Sequence, residues 1–337
     1  MKAIRIHEPG DISVLRYEEV ETPEPGIGQV RVRLRAAGVN HRDIWVRQGL
    51  FGPFSAPVIP GSDGAGEVDA IGPGVTRWTV GQKVVINPGL SCGMCRACLR
   101  GDQPACPSFR IFEGTYAEYA VVPETNLVAM PGGLTFAEAA SIGIPYVTAE
   151  DFLIRAGAVP GQSLLLWGAS GGLGIAALQL AKLRGLRVLA VTRSASRADR
   201  LRQFGADEVI VYAPGDDVSD EVLSLTQGRG VDIVVDSVGR ESFFQSLNAV
   251  QRGGVVVTVG ATTGGQVTLE LGRLFRQRVT VLGAYMGSAA ALPRLLPLFS
   301  RGLLVPVIDN TFPLEQADQA HEQLEQQGVF GKLILSV

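Results

Sequence analysis

Cysteine, histidine and lysine are all scarce in this chain. Its 337 residues include four cysteines and three histidines (His7, His41, His321). Of the 30 basic residues only Lys2, Lys83, Lys182 and Lys332 are lysines, which leaves 26 arginines. So few cysteines exclude a disulfide-dense secreted scaffold. No apolar run approaches the roughly 20 residues that a membrane-spanning helix needs, so no membrane partner is expected. Positive charge is not in excess: the formal net charge is −3 and the pI is near 5.7. With no basic stripe, nucleic acid is not an expected partner either. The first residues, Met1-Lys2-Ala3-Ile4-Arg5-Ile6-His7-Glu8, alternate and carry charge, unlike a secretory leader, so a cytoplasmic location is expected. A hydrophobic content of 46% with 19% charged residues describes an ordinary globular chain, long enough for two or three domains.

The four cysteines all fall within one short segment. Cys92, Cys95, Cys98 and Cys106 have the spacing C-x2-C-x2-C-x7-C. Four thiolates at such intervals can close a tetrahedral shell around one Zn²⁺ and leave no ligand position for substrate, which makes a structural site. Gly93 suits the tight turn of such a knuckle. Two disulfides are the competing reading, but those belong to small secreted domains. A redox Cys-x-x-Cys pair is a third, although such pairs open a helix after a strand. Because the cluster takes every cysteine, any second metal site must draw on histidines and carboxylates.

The first third of the chain reads as β-rich. Val30 to Ala36 alternates apolar and basic residues, as a half-buried strand does. Turn residues at Pro23, Pro25-Gly26, Pro60-Gly61, Gly72-Pro73-Gly74 and Pro88-Gly89 punctuate it, which suggests an irregular barrel or sandwich. From about residue 130 the text changes. Thr135 to Ala149 reads as helix, and Ser163 to Trp167 as a strand buried on both faces. Helical stretches (Ile175–Leu183, Ala198–Phe204, Ser219–Thr226, Phe243–Val250) then alternate with strands (Val188–Val191, Glu208–Tyr212, Ile233–Val235, Val255–Val259, Val279–Gly283). That alternation predicts a doubly wound α/β parallel sheet.

After the Ser163–Trp167 strand comes Gly168-Ala169-Ser170-Gly171-Gly172-Leu173-Gly174, leading into a helix. Glycines there permit close backbone approach to a pyrophosphate, and the helix N-terminus offers free N–H groups. Ser170 lies within this loop. A carboxylate at the end of the second strand would bind the adenosine ribose and favour NAD. The residues there are Thr192-Arg193-Ser194-Ala195-Ser196-Arg197, with no acid, two arginines and several hydroxyls. A 2′-phosphate needs such charge-assisted donors, so NADP(H) is the expected cofactor. The competing reading is a solvated helix start.

A cysteine lobe followed by a dinucleotide fold resembles the medium-chain dehydrogenase/reductase superfamily. That superfamily contains zinc alcohol dehydrogenases and quinone oxidoreductases. The carrying segments are Gly38-Val39-Asn40-His41-Arg42-Asp43, Pro60-Gly61-Ser62-Asp63-Gly64-Ala65-Gly66, the four cysteines, the glycine loop and Gly331-Lys332-Leu333. The resemblance implies a GroES-like β-barrel catalytic domain at 1–124 and 289–337, with a zinc lobe near 90–107. It implies a Rossmann domain at 125–288. Zinc alcohol dehydrogenases carry a cysteine ligand at the position of Asn40, a histidine at Ser62, a glutamate at Asp63 and a third ligand near Ser141. This chain lacks all three principal ligands. Asp63, Asp43 and His41 are the only substitutes at hand.

Val39-Asn40-His41-Arg42-Asp43-Ile44-Trp45 with Phe51 is instead similar to the quinone oxidoreductase branch. The resemblance implies that Asn40 and Asp43 belong to the active site, as does Thr148 within Pro145-Tyr146-Val147-Thr148-Ala149. Tyrosines usually stand where this chain has Trp45 and Phe51, which leaves no tyrosine proton donor and a more apolar pocket, shaped also by Phe54. Val238 (in Ser237-Val238-Gly239), Gly260 and Tyr285 are implied cofactor contacts. The expected activity is metal-free hydride transfer from NADPH to a quinone or an α,β-unsaturated carbonyl compound, with one structural zinc per chain. Two readings compete with it. One is an alcohol dehydrogenase with an atypical or absent catalytic metal, and the other is a crystallin-like NADPH-binding protein without turnover. The family's habit of pairing the Val279–Gly283 edge implies a homodimer or a dimer of dimers.

Overall fold

The computed structural model describes residues 1–50, 54–213, 215–326 and 328–337. The chain forms two compact units, Met1–Val147 together with Gly287–Val337, and Thr148–Met286.

The first unit is built on one sheet. Its strands are β1 (Gln29–Val39), β2 (Asp63–Ile71), β3 (Lys83–Ile86), β4 (Tyr119–Pro123) and β5 (Leu127–Ala129), joined by Ile308–Pro313 and Lys332–Ser336 from the end of the chain. Lys332–Ser336 and β2 flank β1, both antiparallel, and β4 pairs with its first half. The pattern of β1 explains its place. Val30, Val32 and Leu34 point into a core with Val68, Trp78, Val84, Ile86 and Leu127, while the arginines between them face outward. Arg31 and Arg35 reach Asp69 and Glu67 on β2. Pairs this exposed contribute about 0–1 kcal/mol each, so the apolar row sets the register. From Ala36 onward both faces of β1 are buried. A second core joins Ile4, Val39, Ile44 and Tyr116 to Leu314, Ala320, Leu333 and Leu335. The C-terminal segment therefore completes the fold begun by the N-terminal one.

The first boundary between the units falls at 147/148 rather than the expected 124/125. The reason is that β5 pairs with β3, and the helix Phe136–Ala140 packs on β1 and β2. The helical run expected over Thr135–Ala149 is also two helices, Phe136–Ala140 and Gly143–Arg155. Thr135 and Glu138 form a capping box on the first. The break follows because Ser141 Oγ donates back to the Glu138 carbonyl (2.6 Å). The Asp63 carboxylate accepts from the Ile144 N–H at the head of the second helix (2.7 Å). Pro145, in that first turn, has no N–H to satisfy.

The second unit carries six parallel strands: β6 (Ser163–Leu166), β7 (Arg187–Thr192), β8 (Glu208–Val211), β9 (Val231–Asp236), β10 (Val250–Thr258) and β11 (Thr280–Gly283). Their order is β8-β7-β6-β9-β10-β11. Leu165, Leu189, Val234 and Val256 are wholly buried in its core, and truncating such a residue to alanine costs about 2–5 kcal/mol. The order reverses between β6 and β9, which opens a crevice at the carboxyl ends of the strands. No helix among the described residues is long and apolar enough to cross a membrane.

Candidate functional site

In the first unit, the antiparallel register Leu333↔Val39 brings Lys332 beside Asn40, where β1 ends. Lys332 is buried, and its ammonium donates to the Val39 carbonyl (2.7 Å), to Asn40 Oδ1 (2.6 Å) and to Asp63 Oδ2 (3.3 Å). Asn40 Nδ2 donates to the same Asp63 oxygen at 3.0 Å. Burial lowers the Lys332 pKa, while the Asp63 and Asp43 carboxylates oppose the shift. Gly143 leaves room for this arrangement, since a Cβ there would strike Asp63 Oδ1.

Asn40 caps the helix His41–Arg47, and its backbone N–H donates to Asp43 Oδ2 at 2.9 Å. Asp43 is fully buried. Its Oδ2 also accepts from the Tyr116 hydroxyl (3.1 Å), and its Oδ1 accepts no hydrogen bond among the described residues but lies 3.9 Å from the Arg42 guanidinium. Burial pushes its carboxyl up to about 6, against the pull of Arg42. Beyond Tyr116 lies His321 (3.3 Å), whose Nδ1 faces Arg47 at 3.3 Å. Arg47 is buried and paired with Glu325 at 2.7 Å. Burial and then the Arg47 cation push the His321 imidazole down to about 3, so the ring is neutral at pH 7. A guanidinium only donates, so Nδ1 must accept and the proton sits on Nε2. The hydrogen bonds therefore run one way: Arg47 to His321 to Tyr116 to Asp43.

The three positions where the resemblance puts metal ligands carry neutral side chains, each bonded within the protein. Asn40 is held as described. Ser62 Oγ accepts from Arg42 (2.8 Å), whose other terminal nitrogen pairs with Glu113 (2.9 Å). Ser141 is bonded to Glu138. Asp63, Asp43 and His41 do not gather as a ligand group. Among the described residues that property belongs to Cys92, Cys95, Cys98 and Cys106, whose sulfurs all lie within 4.8 Å of one another.

The cysteine geometry fits zinc. Sulfur–sulfur separations are 3.9 Å for Cys92–Cys98, 3.6 Å for Cys95–Cys98 and 3.5 Å for Cys92–Cys106. A tetrahedron with Zn–S bonds of about 2.3 Å has edges of about 3.8 Å, and none of the four is in a disulfide. Between the ligands, the Gln103 side chain accepts from the Ala289 N–H (3.0 Å) and donates to the Cys98 carbonyl (3.4 Å). Asn87 holds the Ala289 carbonyl at 2.9 Å.

In the second unit, the expected cofactor residues meet at the carboxyl edge of the sheet. Gly168–Gly174 follows β6 and opens the helix Gly172–Leu183, with Gly171 as its N-cap. A Cβ on Gly174 would collide with the Gly168 carbonyl, so the cradle is open only to glycine. Ser170, Gly172 and Leu173 are half-buried along it. Thr192 ends β7, and Ser194 caps the helix after it. Arg197 reaches back to Ser170 Oγ at 3.4 Å. Arg193 stacks on Tyr212, bonds its hydroxyl (3.0 Å) and pairs with Glu241 at 2.8 Å. Val238 and Gly260 follow β9 and β10, and Tyr285 follows β11, about half exposed. Thr148 is buried, and its hydroxyl points to Met286 Sδ (3.8 Å) rather than to its own helix.

Sequence reasoning missed several of these residues. It had no signal for Tyr116 or Glu241, and Arg42 stood in a family-like segment without a role. Lys332 stood in a quoted segment without a role. Asp236 was also missed: fully buried, it takes the N–H groups of Val238 and Gly239 and the hydroxyls of Ser242 and Ser246, and so shapes the Ser237–Gly239 turn. Trp45 and Phe54 are half-buried, and Phe51 lies outside the described residues.

Comparison with known proteins agrees with this layout. Residues 26–132 match the alcohol dehydrogenase GroES-like domain family, and residues 172–301 the zinc-binding dehydrogenase family. The chain is 33% identical to a quinone oxidoreductase of Pseudomonas aeruginosa over 99% of both chains. It is 31% identical to an acryloyl-coenzyme A reductase of Metallosphaera sedula over 100% of both. A solved structure of an NAD-dependent alcohol dehydrogenase superposes with a TM-score of 0.96 at 41% identity, covering 100% of both chains.

Proposed function

Because the chain belongs to the medium-chain dehydrogenase/reductase superfamily, we propose that it is an NADPH-dependent reductase of quinones or α,β-unsaturated carbonyl compounds that uses no catalytic metal. Membership itself makes it an oxidoreductase with a nucleotide cofactor and a small-molecule substrate. The observation that carries the finer reading is the set at Asn40, Ser62 and Ser141: three neutral side chains, each hydrogen-bonded within the fold, at the positions of three metal ligands. NADPH, when bound, supplies the hydride. Negative charge then grows on the substrate oxygen, and a fixed donor there lowers the barrier. Asn40 is the donor assigned to it, with Asp43 anchoring its backbone, and the Thr148 hydroxyl is the second candidate. The proton that completes the reduction comes from solvent.

Arg193, Arg197 and Ser194 are assigned to the 2′-phosphate, and the glycine loop to the pyrophosphate, with Ser170 a further phosphate contact carried over from the family. The four cysteines hold one structural zinc. The exposed edge strand β11 supports a homodimer. An NAD-dependent alcohol dehydrogenase is the second reading, favoured by the likeness to that solved structure.

The deciding experiment measures kcat/KM with NADPH and NADH against quinones, enones and simple aldehydes, alongside metal content. Preference for NADPH and for conjugated acceptors, with about one zinc per chain, is expected. Equal use of the two nucleotides overturns the cofactor assignment. About two zincs with alcohol oxidation overturns the reductase reading.

A further inference from the structure

We propose that Lys332 and Asp63 are positioning residues that lock the Asn40 amide in one orientation and aim its second N–H at the substrate's carbonyl oxygen. The inference rests on the reading that Asn40 meets that oxygen.

An amide can be turned over without changing its shape, so something must choose which end faces which neighbour. Here charge chooses. An ammonium only donates, so it must face Oδ1, and a carboxylate accepts, so it must face Nδ2. The observed contacts are these two, at 2.6 and 3.0 Å. Turning the amide over would set its oxygen against Asp63 and its N–H groups against Lys332. The neighbours are themselves fixed. All three ammonium hydrogens have acceptors: Val39, Asn40 and Asp63. Asp63 Oδ1 is taken by the Ile144 N–H. Lys332 therefore has no proton to share with a substrate, and its influence passes through Asn40.

Asn40 Nδ2 carries two hydrogens, and Asp63 takes one. The second has no acceptor among the described residues, and Asn40 is half-buried rather than sealed, so the remaining N–H is open to a ligand oxygen. A cation on the amide oxygen also polarises the group and strengthens its N–H as a donor. The residue type matters in a chain with 26 arginines and four lysines. A compact ammonium can meet three acceptors in three directions, whereas a planar guanidinium presents its donors in one plane.

The test combines Lys332→Met, Asn40→Ala and the double variant, each assayed with NADPH binding measured separately. Lys332→Met is expected to lower kcat roughly 10- to 100-fold with little change in NADPH Kd, below the loss for removing a direct donor. In the Asn40→Ala background it should change kcat less than about 2-fold, because its route to the substrate is gone. An undiminished effect there overturns the proposal. Lone Asp63 is then a buried charge, so Lys332→Met/Asp63→Asn provides a neutral second variant. A turnover-independent readout uses ¹⁵N-asparagine labelling, with the Asn40 side-chain signal assigned by its loss in Asn40→Ala. One of its two N–H protons should be protected from exchange in the wild type, and that difference should collapse in Lys332→Met/Asp63→Asn, where neither charge is left to choose the orientation. Unchanged protection overturns the proposal. If the wild type reduces no conjugated acceptor, the functional reading fails by itself while the exchange result still decides the role of Lys332.

Discussion

The cysteine lobe and the Asn40 cluster solve one problem in two ways. Both gather electron-rich groups around a cation-sized position. In the lobe the four groups are identical, lie within residues 92–106, and suit an ion that must be acquired. In the Asn40 cluster the groups are a backbone carbonyl, an amide oxygen and a carboxylate, and the cation is the ammonium of Lys332, covalently part of the chain. A borrowed cation can be removed, whereas a tethered one is present whenever the fold is. A lobe completed by zinc would then depend on metal supply, and the site assigned to catalysis would not.

The sharpest way to break this comparison is to strip the metal. Zinc binding to small structural sites is worth about 10–16 kcal/mol, so a strong chelator should melt the lobe and open residues 92–106 to limited proteolysis. Exchange at the Asn40 amide should stay unchanged, and loss of its protection would show that the two sites are not independent. Next in size, Asn40→Ala should lower kcat about 10²- to 10³-fold, as removing one oxyanion donor does. A loss confined to KM would remove Asn40 from the transition state. Arg193→Ala tests another tethered cation. It should lower kcat/KM for NADPH about 10- to 100-fold, the worth of one charge-assisted hydrogen bond, and leave NADH nearly untouched. A parallel loss with both nucleotides would point to a structural role beside Tyr212 and Glu241. The most gradual effect, smallest at each step of pH, concerns the His321 chain. Its folded pKa, about 3, lies below the unfolded value of 6.5, so the unfolded state binds the extra proton. The stability its neutral form contributes is therefore full above pH 6.5 and is lost as pH falls toward 3. The gap between wild type and His321→Gln in urea unfolding should shrink by about 1.4 kcal/mol per pH unit across that window. A constant gap would mean that the ring is charged in the fold.

What the sequence revealed follows from distance along the chain. The lobe was legible because its ligands are few residues apart and of one type. The parallel sheet was legible because each strand and helix announces itself locally, and the glycine loop because its glycines sit between the two. The inner polar chain was not. Tyr116 meets His321 across 205 residues, and Arg47 meets it across 274. No local pattern records which buried tyrosine faces which histidine. The break at Ser141 was hidden for a related reason, since the cap on Ile144 comes from Asp63, 81 residues earlier. Asn40, Ser62 and Ser141 became informative only through the family resemblance, because neutral residues in turns carry no signal alone. Arg193 was legible as a cationic donor just after the second strand, yet its partner Glu241, 48 residues on, was not.

The grip of Gln103 and Asn87 on Ala289 has a consequence for the order of folding. These bonds span 186 and 202 residues, and the whole second unit is threaded between their ends. Closing a flexible loop of that length costs about 2 kcal/mol more than closing the 15-residue loop of the cysteines, by the logarithmic law of loop entropy. The lobe can be complete while the chain is still emerging, with the Gln103 oxygen waiting for its donor. The inserted unit shortens the effective loop once it has collapsed into a body of its own. The clasp on Ala289 is then the late step, and it turns a sequential chain with a long detour into a fold whose first and last segments are sewn together.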